Sequence, residues 1–204
     1  ITLDKQLYLM RLDKAGNQIW AKSYASTGFD VEAVQMMLTE DKQHLLLLGN
    51  KIVGDDVKIQ IVKVDLDGNQ VGDAKTLGGS GNYTAVNMST IEGSTNFLVV
   101  GTQEIMVNGT IVKRIYATEL DLNIDLVWAK SYNFNDRAKE EHGIAIMEYN
   151  DNVLVLGRSV GENDTERPII IEGKRTSIGE ELQSKILFKN QNPSFPSHQC
   201  TCRR

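Results

Sequence analysis

The sequence predicts an all-β protein of β-propeller-type blades: about three four-stranded antiparallel repeats of roughly 52–56 residues, forming an incomplete propeller. Three observations predict it. The stretch LDKAGNQIWAKSY at residues 12–24 returns as LDLNIDLVWAKSY at 120–132, and more weakly as VDLDGNQVGDAKTL at 64–77. Equivalent residues keep their distance: Asp13, Asp65 and Asp121 are spaced 52 and 56 apart, and so are Gly49, Gly101 and Gly157. Each unit also holds four short apolar segments separated by turn residues, the signature of an antiparallel sheet with hairpin connections.

The first repeat, residues 1–57, reads LYLMRLD, a turn at Lys14-Ala15-Gly16-Asn17, IWAKSY, a Gly-bearing stretch, VEAVQMML, a polar turn and HLLLLGN. Its third segment is ambiguous, because Val31, Val34, Gln35 and Leu38 would also suit a helix face. The second repeat, 58–111, decides for strand: Val86, Met88 and Thr90 alternate there among β-branched residues. The third repeat, 112–167, reads GIAIMEY at the same place. The fourth segments, LLLL, FLVV and VLVL, are continuously apolar, so both their faces must be covered, as stacked blades would do. Trp20 and Trp128 are then expected as plates between neighbouring sheets, although the second repeat has Gly72 in their place.

Residues 168–204 are a partial fourth repeat or an off-pattern tail. PIIIE at 168–172 suits a first strand, 178–189 would allow a short helix, and the last dozen residues read as disordered. The tail is either a cap or a reading-frame artefact. The chain opens on ITLDKQLYLM, without Met or a signal-peptide pattern, as expected of a processed or partial chain. Closed propellers take about four to eight blades. The remaining blades of a longer chain, or a second copy, are therefore expected partners.

The arrangement LDxxGNxxWxKxY, then GGSGN, then strand, turn and LVVG resembles the degenerate repeat of bacterial β-propeller proteins, common in secreted and surface lipoproteins of the Bacteroidetes type. The resemblance runs over roughly residues 7–167 and departs where a DGG turn is typical, at Thr39-Glu40-Asp41-Lys42, Glu92-Gly93-Ser94 and Tyr149-Asn150-Asp151. It implies an extracytoplasmic setting: periplasm, cell surface or secreted. The Trp-bearing unit is also similar in outline to quinoprotein dehydrogenase repeats, but lacks their AxDxxTGxxxW turn.

Composition excludes some functions. A net charge of −5 argues against nucleic-acid binding, which needs a basic face. No apolar run approaches the roughly 20 residues of a membrane-spanning helix. The two cysteines, Cys200 and Cys202, form neither a disulfide framework nor a metal-ligand pattern. No cofactor is expected.

Candidate chemistry is sparse. Asp65, Asp67 and Asn69 place oxygen ligands at alternate positions with Gly68 for the turn, as calcium loops do, but Thr76 stands where a bidentate Glu is wanted. A hairpin turn explains the string with fewer assumptions. The GGSGN loop at 78–82 lacks the Lys-Ser/Thr and helix of a phosphate cradle. Glu140, Glu141 and His142 cannot converge if they lie on a strand, and are expected as solvated loop charges. Lys22 and Lys130 are expected as edge charges that discourage sheet association. No G-x-S-x-G elbow occurs. The N-x-S/T strings at Asn82, Asn87, Asn108 and Asn163 carry no glycan implication in a bacterial protein.

The leading expectation is a non-enzymatic propeller segment acting as a binding scaffold in a secreted or surface bacterial protein, with a protein or glycan partner at the loop rim. The candidate binding loops comprise Gly78, Ser80 and Asn82; Asn133, Asn135, Asp136 and Arg137; and Glu162, Asp164 and Arg167. The alternative is part of a propeller enzyme, quinoprotein-like or carbohydrate-active, whose site needs blades outside this chain.

Overall fold

The structure, a computed structural model, describes residues 5–24, 28–133, 140–161, 164–175 and 185–186. Its described residues form strands, turns and loops, with no helix. The chain divides into two compact units, Ile1–Ala85 and Val86–Arg204.

In the first unit, β1 (Leu7–Leu12) and β2 (Gln18–Tyr24) pair as a hairpin. A four-stranded antiparallel meander follows: β3 (Asp30–Leu38), β4 (His44–Val53), β5 (Asp56–Asp65) and β6 (Lys75–Leu77), hydrogen-bonded in that order. The continuous apolar runs of β4 and β5 are buried on both faces. Leu47, Val62 and Val64 pack with Leu7 and Val31 on one face. Leu46, Leu48, Ile59 and Ile61 are fully buried on the other. Each such side chain contributes about 1.5–3 kcal/mol on leaving water.

Four more strands, β7 (Asn82–Ile91), β8 (Ser94–Val107), β9 (Thr110–Leu120) and β10 (Leu126–Tyr132), follow in meander order, the unit boundary falling within β7. Then come β11 (Glu140–Tyr149), β12 (Asn152–Val160), β13 (Glu166–Lys174) and β14 (Lys185–Ile186). All eight belong to one sheet, but β11 joins β9 through a single parallel bridge, Glu140 to Lys113. Hydrogen bonding therefore resolves it into two antiparallel groups of four. Ile91, Leu98, Val100, Ile115, Ile146, Val155 and Ile169 form the core of the second unit, with Trp128 and Tyr132 against it.

The sheets run out of phase with the repeats. A sheet takes the third and fourth segments of one repeat and the first and second of the next, so β3 and β4 pair with β5 and β6. The ambiguous third segment is a strand each time. In the first and third repeats it also carries the same irregularity: the register shifts between Ala33 and Gln35 opposite Gly49, and between Gly143 and Ala145 opposite Gly157. An extra residue at these places makes a β-bulge and brings the strand's backbone close to its partner. A Cβ on Gly49 would lie 3.0 Å from the Glu32 carbonyl, and one on Gly157 would lie 2.8 Å from the His142 carbonyl. Gly49 and Gly157 thus each stand opposite a bulge.

The tail departs from expectation at one point. PIIIE does form a first strand, β13, paired along its length with β12. Of the helix expected over 178–189, only Lys185 and Ile186 are described, and they form the short strand β14 on β13. A free edge on β13 offered a backbone ladder that outcompeted local helix preference. The other residues of that segment, the final dozen and both cysteines lie outside the described residues.

Candidate functional site

The three DxxxN/D turns share one geometry. Asp13 Oδ1 accepts hydrogen bonds from the backbone N–H of Ala15 and Asn17, and Asp65 Oδ1 from those of Asp67 and Asn69. Asp121 Oδ1 does the same with Asn123 and Asp125. In the first two turns the Asn side chain also donates to the second carboxylate oxygen, at 3.0 and 2.9 Å. These bonds, the Asn side chain foremost, hold the Asp13 and Asp65 carboxyls below their ordinary value of 3.8. The aspartate closes the turn on itself. Two more oxygens of the 65–69 turn face an ammonium: Lys22 Nζ donates to the Asp67 carbonyl and to Asn69 Oδ1, both at 2.7 Å. Among the described residues, no group of three or more His, Cys, Asp or Glu side chains is placed to hold a metal ion.

Lys22 is therefore not the edge charge expected. With its neighbours it forms a latch. Tyr24 Oη donates to the Gly68 carbonyl at 2.8 Å, Arg11 donates to the Leu66 carbonyl at 3.2 Å, and Trp20 lies flat against Gly68. The first WAKSY string thus grips the turn of the following repeat. Gly68 has φ +75°, and a Cβ there would sit 2.7 Å from the Trp20 ring. Gly68→Ala is expected to destabilise the first unit by about 2 kcal/mol, combining left-handed strain with displacement of the ring. Urea unfolding followed by Trp20 fluorescence would measure it, and a loss below about 0.5 kcal/mol would contradict the latch.

The GGSGN loop is tied down by Lys58, whose Nζ donates to the carbonyls of Gly79 (2.9 Å) and Gly81 and pairs with Asp56 at 3.1 Å. Carbonyls turned toward a lysine are the reverse of a phosphate cradle, which presents N–H groups. Gly78 and Ser80 are exposed in this loop, while Asn82 opens β7 and accepts the Val57 N–H at 3.0 Å. Asn133 is exposed just after β10. Asp164 occupies a hairpin turn with φ +55°, and Arg167 lies within β13 opposite Ser159, not in a loop. Asn135, Asp136, Arg137 and Glu162 lie outside the described residues.

Glu140, Glu141 and His142 are not loop charges, because they open β11. Alternation does separate them. Glu140 and His142 share a face at 2.8 Å, and Lys113 stands 3.3 Å from Glu140 and 3.4 Å from Glu104. The His142 ring first, then Lys113, hold the Glu140 carboxyl below its usual range. Glu141 points the other way and is buried.

A cleft of about 340 Å³ opens on one face of the first unit, lined by residues from Tyr24 to Thr76. Gln60 and Val62 of β5 line it, joined by Ala74 and Thr76 from the β6 side. The Tyr24 and Phe29 rings stand against them, with Lys51 of β4, Gln70 and Asp73. Gln60 is 5% exposed, and among the described residues its side chain has no hydrogen-bond partner. Its cross-strand neighbour on β4 is Gly49. Lys51 Nζ sits 4.1 Å from the centre of the Phe29 ring.

No protein-family model matches this sequence, and no curated protein matches it either. Several solved structures are similar to it, two of them as follows. One is an exo-1,5-α-L-arabinanase from a bovine ruminal metagenomic library, at 11% identity and a TM-score of 0.48, covering 91% of this chain and 69% of its own. The other is a thermostable family-43 glycoside hydrolase, at 12% identity and a TM-score of 0.48, covering 81% of this chain. The chain spans 55% of that hydrolase's length. The blades are of propeller type. Both structures carry the names of enzymes, and the expectation of a non-enzymatic scaffold is corrected on that finding. So distant a likeness gives this chain neither a substrate nor catalytic residues.

Two residues escaped the sequence reading. Glu119 of β9 is 2% exposed and accepts from Asn96 Nδ2 (2.7 Å), Trp128 Nε1 (2.8 Å) and Arg175 Nη2 (2.9 Å). Burial alone would raise its pKa, but Arg175, Asn96 and Trp128 outweigh that and hold the carboxyl below its ordinary 4.5. A signal existed: the equivalent residues before Asp13 and Asp65 are basic, Arg11 and Lys63, so Glu119 inverts the sign. Trp128 follows that inversion. Its counterpart Trp20 stands opposite Arg11 and keeps a buried, unpaired Nε1. Gln60 was equally visible, as an amide within the otherwise apolar run IQIV.

Proposed function

We propose that this chain is part of a carbohydrate-active enzyme of propeller type, and that the β4–β6 cleft holds a sugar unit. The observation that carries the reading is the Gln60 side chain, 5% exposed, lining the cleft and without a hydrogen-bond partner among the described residues. Its amide opens into the cleft, and a ligand hydroxyl arriving there can both donate to it and accept from it. The surroundings suit a pyranose or furanose ring. Gln70, Asp73 and Thr76 offer polar groups to its rim, and the Tyr24 and Phe29 rings border it.

Asp73 is the one carboxylate lining the cleft among the described residues. Glycoside hydrolysis by paired carboxylates needs a second, about 5–9.5 Å from the first. The cleft is then a holding subsite with one of the two acids, and the other comes from outside this lining. The likeness of the repeat to exported bacterial propellers supports a setting outside the cytoplasm.

Titration calorimetry of the chain against a panel of neutral and acidic oligosaccharides tests the reading. Saturable binding is expected, weakened about tenfold by Gln60→Leu, the equivalent of one hydrogen bond near 1.4 kcal/mol. Reducing-sugar release by the natural full-length protein, abolished by Asp73→Asn, tests the catalytic part. Absence of binding to every saccharide, or binding indifferent to Gln60, overturns it.

A further inference from the structure

We infer that the sugar unit this cleft takes is acidic, a uronate whose carboxylate is met by Lys51. The inference rests on the saccharide reading above and narrows it. Its ground is the state of the Lys51 ammonium. Other partly buried lysines of the first unit have oxygen partners: Lys22 has the Asp67 carbonyl and Asn69 Oδ1, and Lys58 has Asp56 and two loop carbonyls. Lys51 has none among the described residues, and its neighbour is the face of Phe29. An aromatic face attracts and orients an ammonium through its quadrupole but carries no net charge to neutralise it. The ring therefore holds a whole positive charge at the wall of the cleft, ready for an anion.

The rest of the lining decides which anion. Asp73 would repel a bare phosphate or sulfate, which brings acceptors and charge but few donors. A uronate brings both kinds of group on one ring. Its carboxylate pairs with Lys51, and its hydroxyls donate to Asp73 and to the side-chain carbonyl oxygen of Gln60. A neutral sugar satisfies Gln60 and Asp73 but leaves the ammonium unused.

The test compares tri-galacturonate with the corresponding neutral galactose trisaccharide by calorimetry, on the chain, Lys51→Met and Lys51→Gln. Circular dichroism verifies that the variants fold. Tri-galacturonate is expected to bind at least tenfold more tightly than the neutral trisaccharide. That preference should vanish in both variants and shrink as salt is raised from 50 to 500 mM, as a solvent-accessible ion pair requires (the Debye length falls from about 14 to about 4 Å). Equal binding of the two sugars, unchanged by either Lys51 variant, overturns the inference and leaves the saccharide reading standing. Binding of neither sugar, nor of any other in the panel, overturns both.

Discussion

Gly143→Ala will destabilise the second unit by about 3 kcal/mol or more, the largest effect expected of adding one methyl group anywhere in the described chain. The added Cβ would lie 2.5 Å from the Gly101 carbonyl oxygen and 2.7 Å from Val100 Cγ2. Backbone cannot rotate aside as a side chain can, so β11 must lift away from β8 or the bulge at Gly143 must straighten. Either disturbs the core around Val100 and Ile146. Gly54 supplies the control. It has φ +59° but open space around a would-be Cβ, so Gly54→Ala should cost only about 1 kcal/mol of left-handed strain. Urea midpoints of the two variants separate crowding from backbone strain. Equal losses would show that the bulge is not tight.

The second large effect belongs to Glu119. Glu119→Ala leaves the Arg175 guanidinium, the Trp128 indole N–H and the Asn96 amide without their shared acceptor, and should cost about 3–5 kcal/mol. Replacing both ends of the pair, as Glu119→Leu with Arg175→Leu, should recover much of that loss, because two well-packed apolar groups no longer bury a charge. The same carboxylate gives a pH signature. Its folded pKa lies below its ordinary 4.5, so its stabilisation is present above that value and is lost as pH falls below it. Thermal unfolding between pH 3 and 7 should show the loss in the natural chain and a smaller one in the double variant. An identical acid profile would remove Glu119 from the account.

The blades were legible because their signals are local and repeated. Turn residues, four apolar segments and a spaced glycine recur, and each maps to one strand or one bulge. The phase of the sheets was not legible, since which strand pairs with which depends on backbone ladders between segments of different repeats. Single side chains were read poorly wherever their surroundings come from elsewhere in the chain. Lys22 looked like an edge charge because nothing in WAKSY announces the turn 45 residues away that it holds. Glu140 to His142 looked like a polar loop because three charged residues in a row outweighed the strand pattern that follows them. Gln60 and Glu119 were visible as exceptions to the repeat, and comparing the repeats position by position would have raised both. The cleft had no sequence signature at all, since its lining comes from four strands and two connections.

The offset between repeats and sheets has a practical side. A gene fragment cut at residues 57 and 111, where the motif begins again, would strip β5 from β4 at one end and β9 from β8 at the other. Two raw ladder edges would be left on a piece that holds no whole sheet, an invitation to aggregate. Cutting within the Gly-rich stretch between β6 and β7 keeps β3 to β6 together. The repeating stretch of sequence and the folded sheet are thus out of phase along the same chain. Each repeat is mortared into two sheets, like a brick that spans a joint.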